Sequence, residues 1–248
     1  MIETSVLYKN AQKATLRYSL LMGDRMSENE KLPDILYKYL DSSGMVKFLN
    51  SPGVLFSSVA TFSDSDEGVC ASWLPDNQTE SMIHKEYEDS LYGILCLSSE
   101  PSSEQMWKEY AENHCGIMVG LDPRHPFFSQ EPFQKQWNKA EYDDNIPVLP
   151  PAPMGVLFGI GDDKEYRESV YAKLRQGIRR KGTQYTFEEE WRKGAILSEP
   201  RSKKPFPFPE KDIPSIIRSI TMGANISQEH KRLCQEFTKR YGILLNQA

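Results

Sequence analysis

Apolar residues along the chain fall into short runs of strand length, separated by capped amphipathic stretches. The runs Ile35 to Leu40, Val54 to Val59, Tyr92 to Leu97, Ile117 to Leu121 and Glu190 to Leu197 carry most of the aliphatic and aromatic signal and predict five strands. Ser102, with Gln105 three residues on, makes a capping-box pattern. Trp107, Tyr110, Ala111 and His114 then recur at i, i+3, i+4 and i+7. This predicts a helix that buries Trp107 and Tyr110 and stops at Gly116. Asp162 or Asp163 caps a second helix with Tyr166, Val170, Leu174 and Ile178 as its face and Gly182 as its end. Ser227 caps a third, faced by Leu233, Phe237 and Tyr241 and closed by Gly242. Residues 44–49 read as a short helix or turn, a short helix starts at Asp212, and Ile220 to Met222 reads as a further strand. Prolines cluster in 145–153 and 200–209, where missing amide donors predict loops with little regular hydrogen bonding.

Strands and helices are interspersed without regular βαβ alternation. The pattern predicts an α+β fold with a single mixed or antiparallel sheet and packed helices. One domain is expected over residues 34–248, preceded by a mixed-charge N-terminal extension over 1–33.

The chain has 248 residues, 39% hydrophobic and 26% charged, enough to bury a core. No apolar run approaches the roughly 18 residues of a membrane helix. The first residues lack the pattern of a secretory leader, so a cytoplasmic protein is expected. Cys70, Cys96, Cys115 and Cys234 are widely spaced and form neither a disulfide framework nor a zinc pattern. His84, His114, His125 and His230 show no ligand spacing, and no metal site is expected. Phosphate-loop and nucleophile-elbow motifs are absent; Gly159-Ile160-Gly161 is only a fragment of the former. Residues 64–113 hold twelve Asp and Glu against only Lys85 and Lys108. The cationic run Arg179-Arg180-Lys181 suits the C-terminal end of a helix, and no nucleic-acid-binding motif accompanies it.

One segment stands out chemically: Tyr185-Thr186-Phe187-Glu188-Glu189-Glu190-Trp191-Arg192. On a strand, Glu188, Glu190 and Arg192 share one face and Phe187, Glu189 and Trp191 the other. Two carboxylates about 7 Å apart beside a cation suit a developing positive charge and a held nucleophile. The same pattern also suits a solvated acidic hairpin edge.

Leu36-Tyr37-Lys38-Tyr39, Leu55-Phe56-Ser57-Ser58, Cys96-Leu97-Ser98, Met106-Trp107-x-x-Tyr110-Ala111-x-x-His114-x-Gly116 and Lys181-x-x-x-Tyr185-x-x-Glu188-x-Glu190-Trp191-Arg192 occur in that order. This order resembles a large bacterial family of unknown function over roughly residues 34–223. The chain departs from that pattern at Ser63-Asp64-Ser65-Asp66, in place of N-D-P-F-D, and at Tyr185, in place of tryptophan.

The layout also resembles ADP-ribosyltransferases, which carry a dinucleotide-gripping first strand, a Ser/Thr second strand and a late Glu-x-Glu strand. That resemblance implies an enzyme that cleaves NAD and transfers or releases ADP-ribose, in keeping with a bacterial toxin or phage-defence effector. It assigns Glu190 to stabilising the ribose oxocarbenium and Glu188 to the acceptor side. Tyr37, Lys38 or Tyr39 would contact the dinucleotide and Ser57 or Ser58 would support the Glu strand, and these five with Arg192 are the expected cofactor-binding residues. The acceptor would be an unidentified macromolecule. The Arg or His usual on the first strand of those enzymes has no counterpart here. Two alternatives stand beside this expectation. One is a non-catalytic module whose proline-rich loops contact a partner protein, the other a nuclease using the carboxylates for a metal.

Overall fold

The structure, a computed structural model, describes residues 31–58, 61–62, 92–134, 136–150, 164–199 and 202–248. Residues 1–30 of the extension expected over 1–33, the acidic loop after Ser63, Cys70, His84, Gly159 to Gly161 and the caps Asp162 and Asp163 lie outside them.

Strands β1 (Leu36–Leu40), β4 (Tyr92–Ser98), β5 (Ile117–Leu121) and β9 (Glu190–Ile196) fall where the apolar runs predict them. Between β1 and β4 lie α1 (Ser42–Asn50), β2 (Gly53–Val54) and β3 (Ser57–Ser58). Then follow α2 (Glu104–Tyr110), β6 (Asn138–Lys139), β7 (Glu141–Tyr142), α3 (Lys164–Arg179) and β8 (Arg180–Lys181). The chain continues through β10 (Phe206–Pro207), α4 (Ile213–Ile216), β11 (Ile217–Met222), α5 (Gln228–Tyr241) and β12 (Leu244–Gln247). The fold is α+β. Its main sheet runs β12-β11-β5-β1-β4-β9-β6, with β3 attached to β4. Every pairing in it is antiparallel except β11 with β12. Two smaller ladders, β2 with β10 and β7 with β8, lie beside it.

Several expectations are corrected. The run from Val54 is not one strand. It breaks at Leu55–Phe56, because Gly53–Val54 pairs with Phe206–Pro207 while Ser57–Ser58 pairs with β4. The second proline cluster is therefore not free of regular bonding. Its Phe206 and Phe208 pack inward, and the Phe208 amide donates to the Pro52 carbonyl at 2.8 Å. Helix α3 ends at Arg179, and β8 intervenes before Gly182. The cap of α2 is Ser103, whose hydroxyl accepts from the Met106 amide; the Ser102 hydroxyl is engaged by the Glu100 carboxylate at 2.5 Å.

Helix α2 also stops short of His114. Glu112, Asn113 and His114 all have positive φ, a left-handed turn costing of order 1–2 kcal/mol per residue. The turn is tied down: the His114 carbonyl accepts from the Asn225 amide at 3.0 Å, and the Asn225 side chain donates to the Asn113 carbonyl at 2.9 Å. The His114 ring stacks on Trp107 at 5.0 Å and pairs with Glu104. A β-carbon at Gly116 would run into the Leu40 carbonyl, so only glycine fits. The Trp-x-x-Tyr-Ala-x-x-His-x-Gly block is thus largely a packing device.

The sheet has two unlike faces. On one, Leu36, Leu95, Leu97, Val119, Trp191 and Ala195 enter an extended apolar core shared with α1, α5 and the phenylalanines at 127, 128 and 133. On the other, a small cluster of Tyr39, Met106, Trp107, Ala111 and Met118 seats α2. Beside α2 on that second face lies a polar cleft.

Candidate active site

Register assembles the cleft. Glu190 of β9 pairs with Ser98 of β4, which pairs with Tyr37 of β1, so the three side chains share a face. Ser57 joins through its pairing with Ile94. Strands β1 and β4 share only this single paired position, and Lys38 reaches into the gap to donate to the Cys96 carbonyl at 3.1 Å.

The cleft has a volume of about 180 Å³. Tyr37, Lys38, Tyr39 and Ser57 line it on one side, Lys181, Glu188 and Glu190 on the other. Met106 and Tyr110 of α2, with Leu55 and Phe62, complete the wall. Six of the eight residues named from the ADP-ribosyltransferase resemblance are therefore brought together. The other two are placed elsewhere. Ser58 points away and is buried, and its hydroxyl has no hydrogen-bond partner among the described residues. Arg192 does not line the cleft. It is enclosed behind Glu190, donating to that carboxylate and to the Ile178 carbonyl.

The two glutamates converge by a different route from the alternation expected. Thr183–Glu188 is a 3-10 helix, not strand. Glu189 follows in the left-handed region at φ 42°, and β9 begins at Glu190. That kink turns Glu189 outward to Lys139 at 3.0 Å and leaves Glu188 and Glu190 both facing inward. Lys181 sits between them, with its Nζ 2.5 Å from Glu188 and 2.8 Å from Glu190. The Tyr110 hydroxyl donates to the second oxygen of Glu188 at 2.6 Å. Tyr110 was expected in the core; it is 40% exposed, because it stands at the cleft mouth with only its hydroxyl turned in. The Glu190 backbone is also fixed. Its amide donates to the Tyr142 hydroxyl and its carbonyl accepts from the Ala140 amide, each at 2.8 Å.

These surroundings drive the two carboxyls apart. Burial, reinforced by the adjacent Glu190 carboxylate, pushes Glu188 up to about 7. Burial acts the same way on Glu190, but the Arg192 and Lys181 cations outweigh it and hold Glu190 well below the usual carboxylate range. Tyr110 and Tyr39 are raised, chiefly by burial, and stay protonated as donors. At neutral pH the site therefore holds one fixed anion and one carboxyl poised to exchange a proton. A pair of titratable groups pushed apart in this way is a mark of acid–base sites.

Lys181, Tyr110 and Tyr142 were not among the site residues expected from the sequence, although Lys181 and Tyr110 stand in its motifs. A signal for Lys181 was present: it precedes Glu188 by seven residues and Glu190 by nine, the last cation of the run Arg179-Arg180-Lys181 before that Glu-x-Glu segment.

Among the described residues no group of three or more His, Cys, Asp and Glu is placed to hold a metal ion, and no helix is long and apolar enough to cross a membrane. No protein-family model, curated protein or solved structure matches the chain.

Proposed function

We propose that the chain is an ADP-ribosyltransferase-like enzyme that binds the nicotinamide-ribose end of NAD in this cleft and cleaves it. The observation that carries the reading is the convergence of Tyr37, Lys38, Tyr39, Ser57, Glu188 and Glu190, from four separate segments, on one cleft. The roles follow from the electrostatics. As the C1′–N bond breaks, its electron pair leaves with nicotinamide and positive charge develops on the ribose. Glu190 is the fixed anion facing that charge. Water or an acceptor hydroxyl then bonds to C1′ and gives its proton to Glu188, whose near-neutral titration fits a general base. Lys38, half-buried and bound only to a carbonyl among the described residues, is suited to an anionic phosphate. The cleft has room for the reacting end of a dinucleotide, not for its whole length.

The partner-module alternative loses one of its surfaces, because the second proline cluster turns Phe206 and Phe208 into the core. For the nuclease alternative, the Lys181 ammonium stands where the two carboxylates would share a metal.

The test is nicotinamide release by purified protein, with and without cell extract as a source of acceptor. Glu190→Gln keeps the shape and removes the charge, and should lower turnover by about two to four orders of magnitude with NAD binding changed much less. Glu188→Gln should impair transfer and leave residual hydrolysis. No release by wild type under either condition, together with no rise in melting temperature on adding NAD, overturns the reading.

A further inference from the structure

We infer that Lys181 is a positioning residue of this site, holding Glu188 and Glu190 side by side so that the pair exchanges a single proton. The geometry is specific. Lys181 belongs to the two-residue β8, whose parallel pairing with Tyr142 fixes its backbone beside β7. From there its side chain turns inward, is as buried as the glutamates, and touches one oxygen of each. Glu188 lies on a 3-10 turn and Glu190 on a strand, with a left-handed residue between. Within this network Lys181 is the group that contacts both carboxylates.

Among the described residues, the charged and titratable groups bonded to the pair are Lys181 of β8, Arg192 of β9, Tyr110 of α2 and Tyr142 of β7, and Tyr37, Lys38 and Tyr39 of β1 face it across the cleft. Their effects are unequal. Arg192 donates to Glu190 and to the Ile178 carbonyl, and it fixes the Glu190 anion without being among the charges that shift Glu188. Lys181 acts on both and lowers both. Without its charge, Glu188 would face a neighbouring anion with no cation on its own side. Glu188 would then hold its proton to higher pH, because an unopposed like charge and burial both favour the neutral acid. The pair would stay protonated through the neutral range and lose its base.

This inference rests on reading the cleft as the reacting site, but its test reads proton binding, so the two fail separately. Protein carrying ¹³C at the glutamate carboxyl carbons is titrated by NMR, with Glu188→Gln identifying the Glu188 signal. In wild type that carboxyl should titrate in the neutral range. In Lys181→Met its midpoint should move upward by about one pH unit or more. If Lys181→Met does not fold, Lys181→Arg serves. The guanidinium keeps the charge but cannot reproduce the compact contact with both oxygens, and a smaller displacement of the same midpoint is expected. A Glu188 midpoint unchanged in the variant that folds overturns the inference. Where nicotinamide release is measurable, the alkaline shift should reappear in its pH profile, with kcat lowered more than KM. A loss of activity with an unshifted profile would mark Lys181 as merely structural.

Discussion

The two faces of the central sheet are built from the same strands and obey opposite rules. On β9, Trp191 and Ala195 enter the phenylalanine-rich core, while Glu190 and Arg192, one residue out of phase, are buried among charges. The first face gains from burial at roughly 25 cal/mol per Å² of apolar surface. The second takes ions out of water, a cost that pairing recovers only with good geometry. A hydrophobic replacement of similar volume would often be as stable. The core face is therefore largely explained by folding, Lys193 excepted, whose buried ammonium lies over the Trp137 ring at 5.4 Å. The polar face, with its buried Lys181, Glu188, Glu190 and Arg192, is not, and that contrast is what supports the proposed site.

Substitutions on neighbouring residues of β9 test this contrast most strongly. Trp191→Ala should cost about 3 to 5 kcal/mol through the cavity it leaves, at any pH. Arg192→Met should cost a similar amount, about 3 to 5 kcal/mol, by leaving Glu190 under-compensated. That loss should shrink in acid, where Glu190 can take up a proton. Denaturant unfolding of both variants across pH checks it. Equal pH profiles would mean that the two faces do not differ as described.

A somewhat smaller effect belongs to Glu188 in the wild type. Its folded value, about 7, lies above its ordinary 4.5, so the folded state binds its proton more tightly. The resulting stability is complete below about pH 4.5 and is lost as pH rises to about 7, at most about 3 kcal/mol. Glu190 has the opposite sign: its depressed value favours folding above its ordinary range and is lost only in strong acid. Stability measured from pH 4 to 8 should therefore fall between about pH 4.5 and 7 and level off above, and Glu188→Gln should flatten the fall. A rise in wild-type stability over the same interval would contradict the burial assigned to Glu188.

The smallest effect is expected between the two glutamates. Glu189 points outward to a half-exposed lysine, so Glu189→Gln should change stability by no more than about 0.5 kcal/mol and leave nicotinamide release intact. A large loss of either would show that Glu189, rather than Glu188 or Glu190, faces the site.

The core face was legible in the sequence because its signals are local. β1, β4, β5 and β9 are apolar runs with clear limits, and α5 carries its Ser227 cap and a left-handed Gly242 at its end. What escaped depends on distant partners. β2 exists because Phe206–Pro207 arrives beside it, and β12, short and mostly exposed, because β11 accepts it in parallel. The polar face was half legible. The residue types were visible, and so was their grouping. Their geometry was not, because it comes from a 3-10 turn and a left-handed residue that strand alternation cannot describe. Lys181 looked like a cation ending a helix; its two-residue pairing with β7 turns it inward instead.

The most direct test of the polar face as a substrate site is amide chemical-shift mapping during titration with NAD. Shifts should concentrate at Tyr37, Lys38, Tyr39, Cys96, Ser98 and Glu190, with the opposite-face core around Phe127, Phe128 and Ile220 unmoved. Saturable shifts confined to some other surface, or none up to millimolar NAD, would contradict the account.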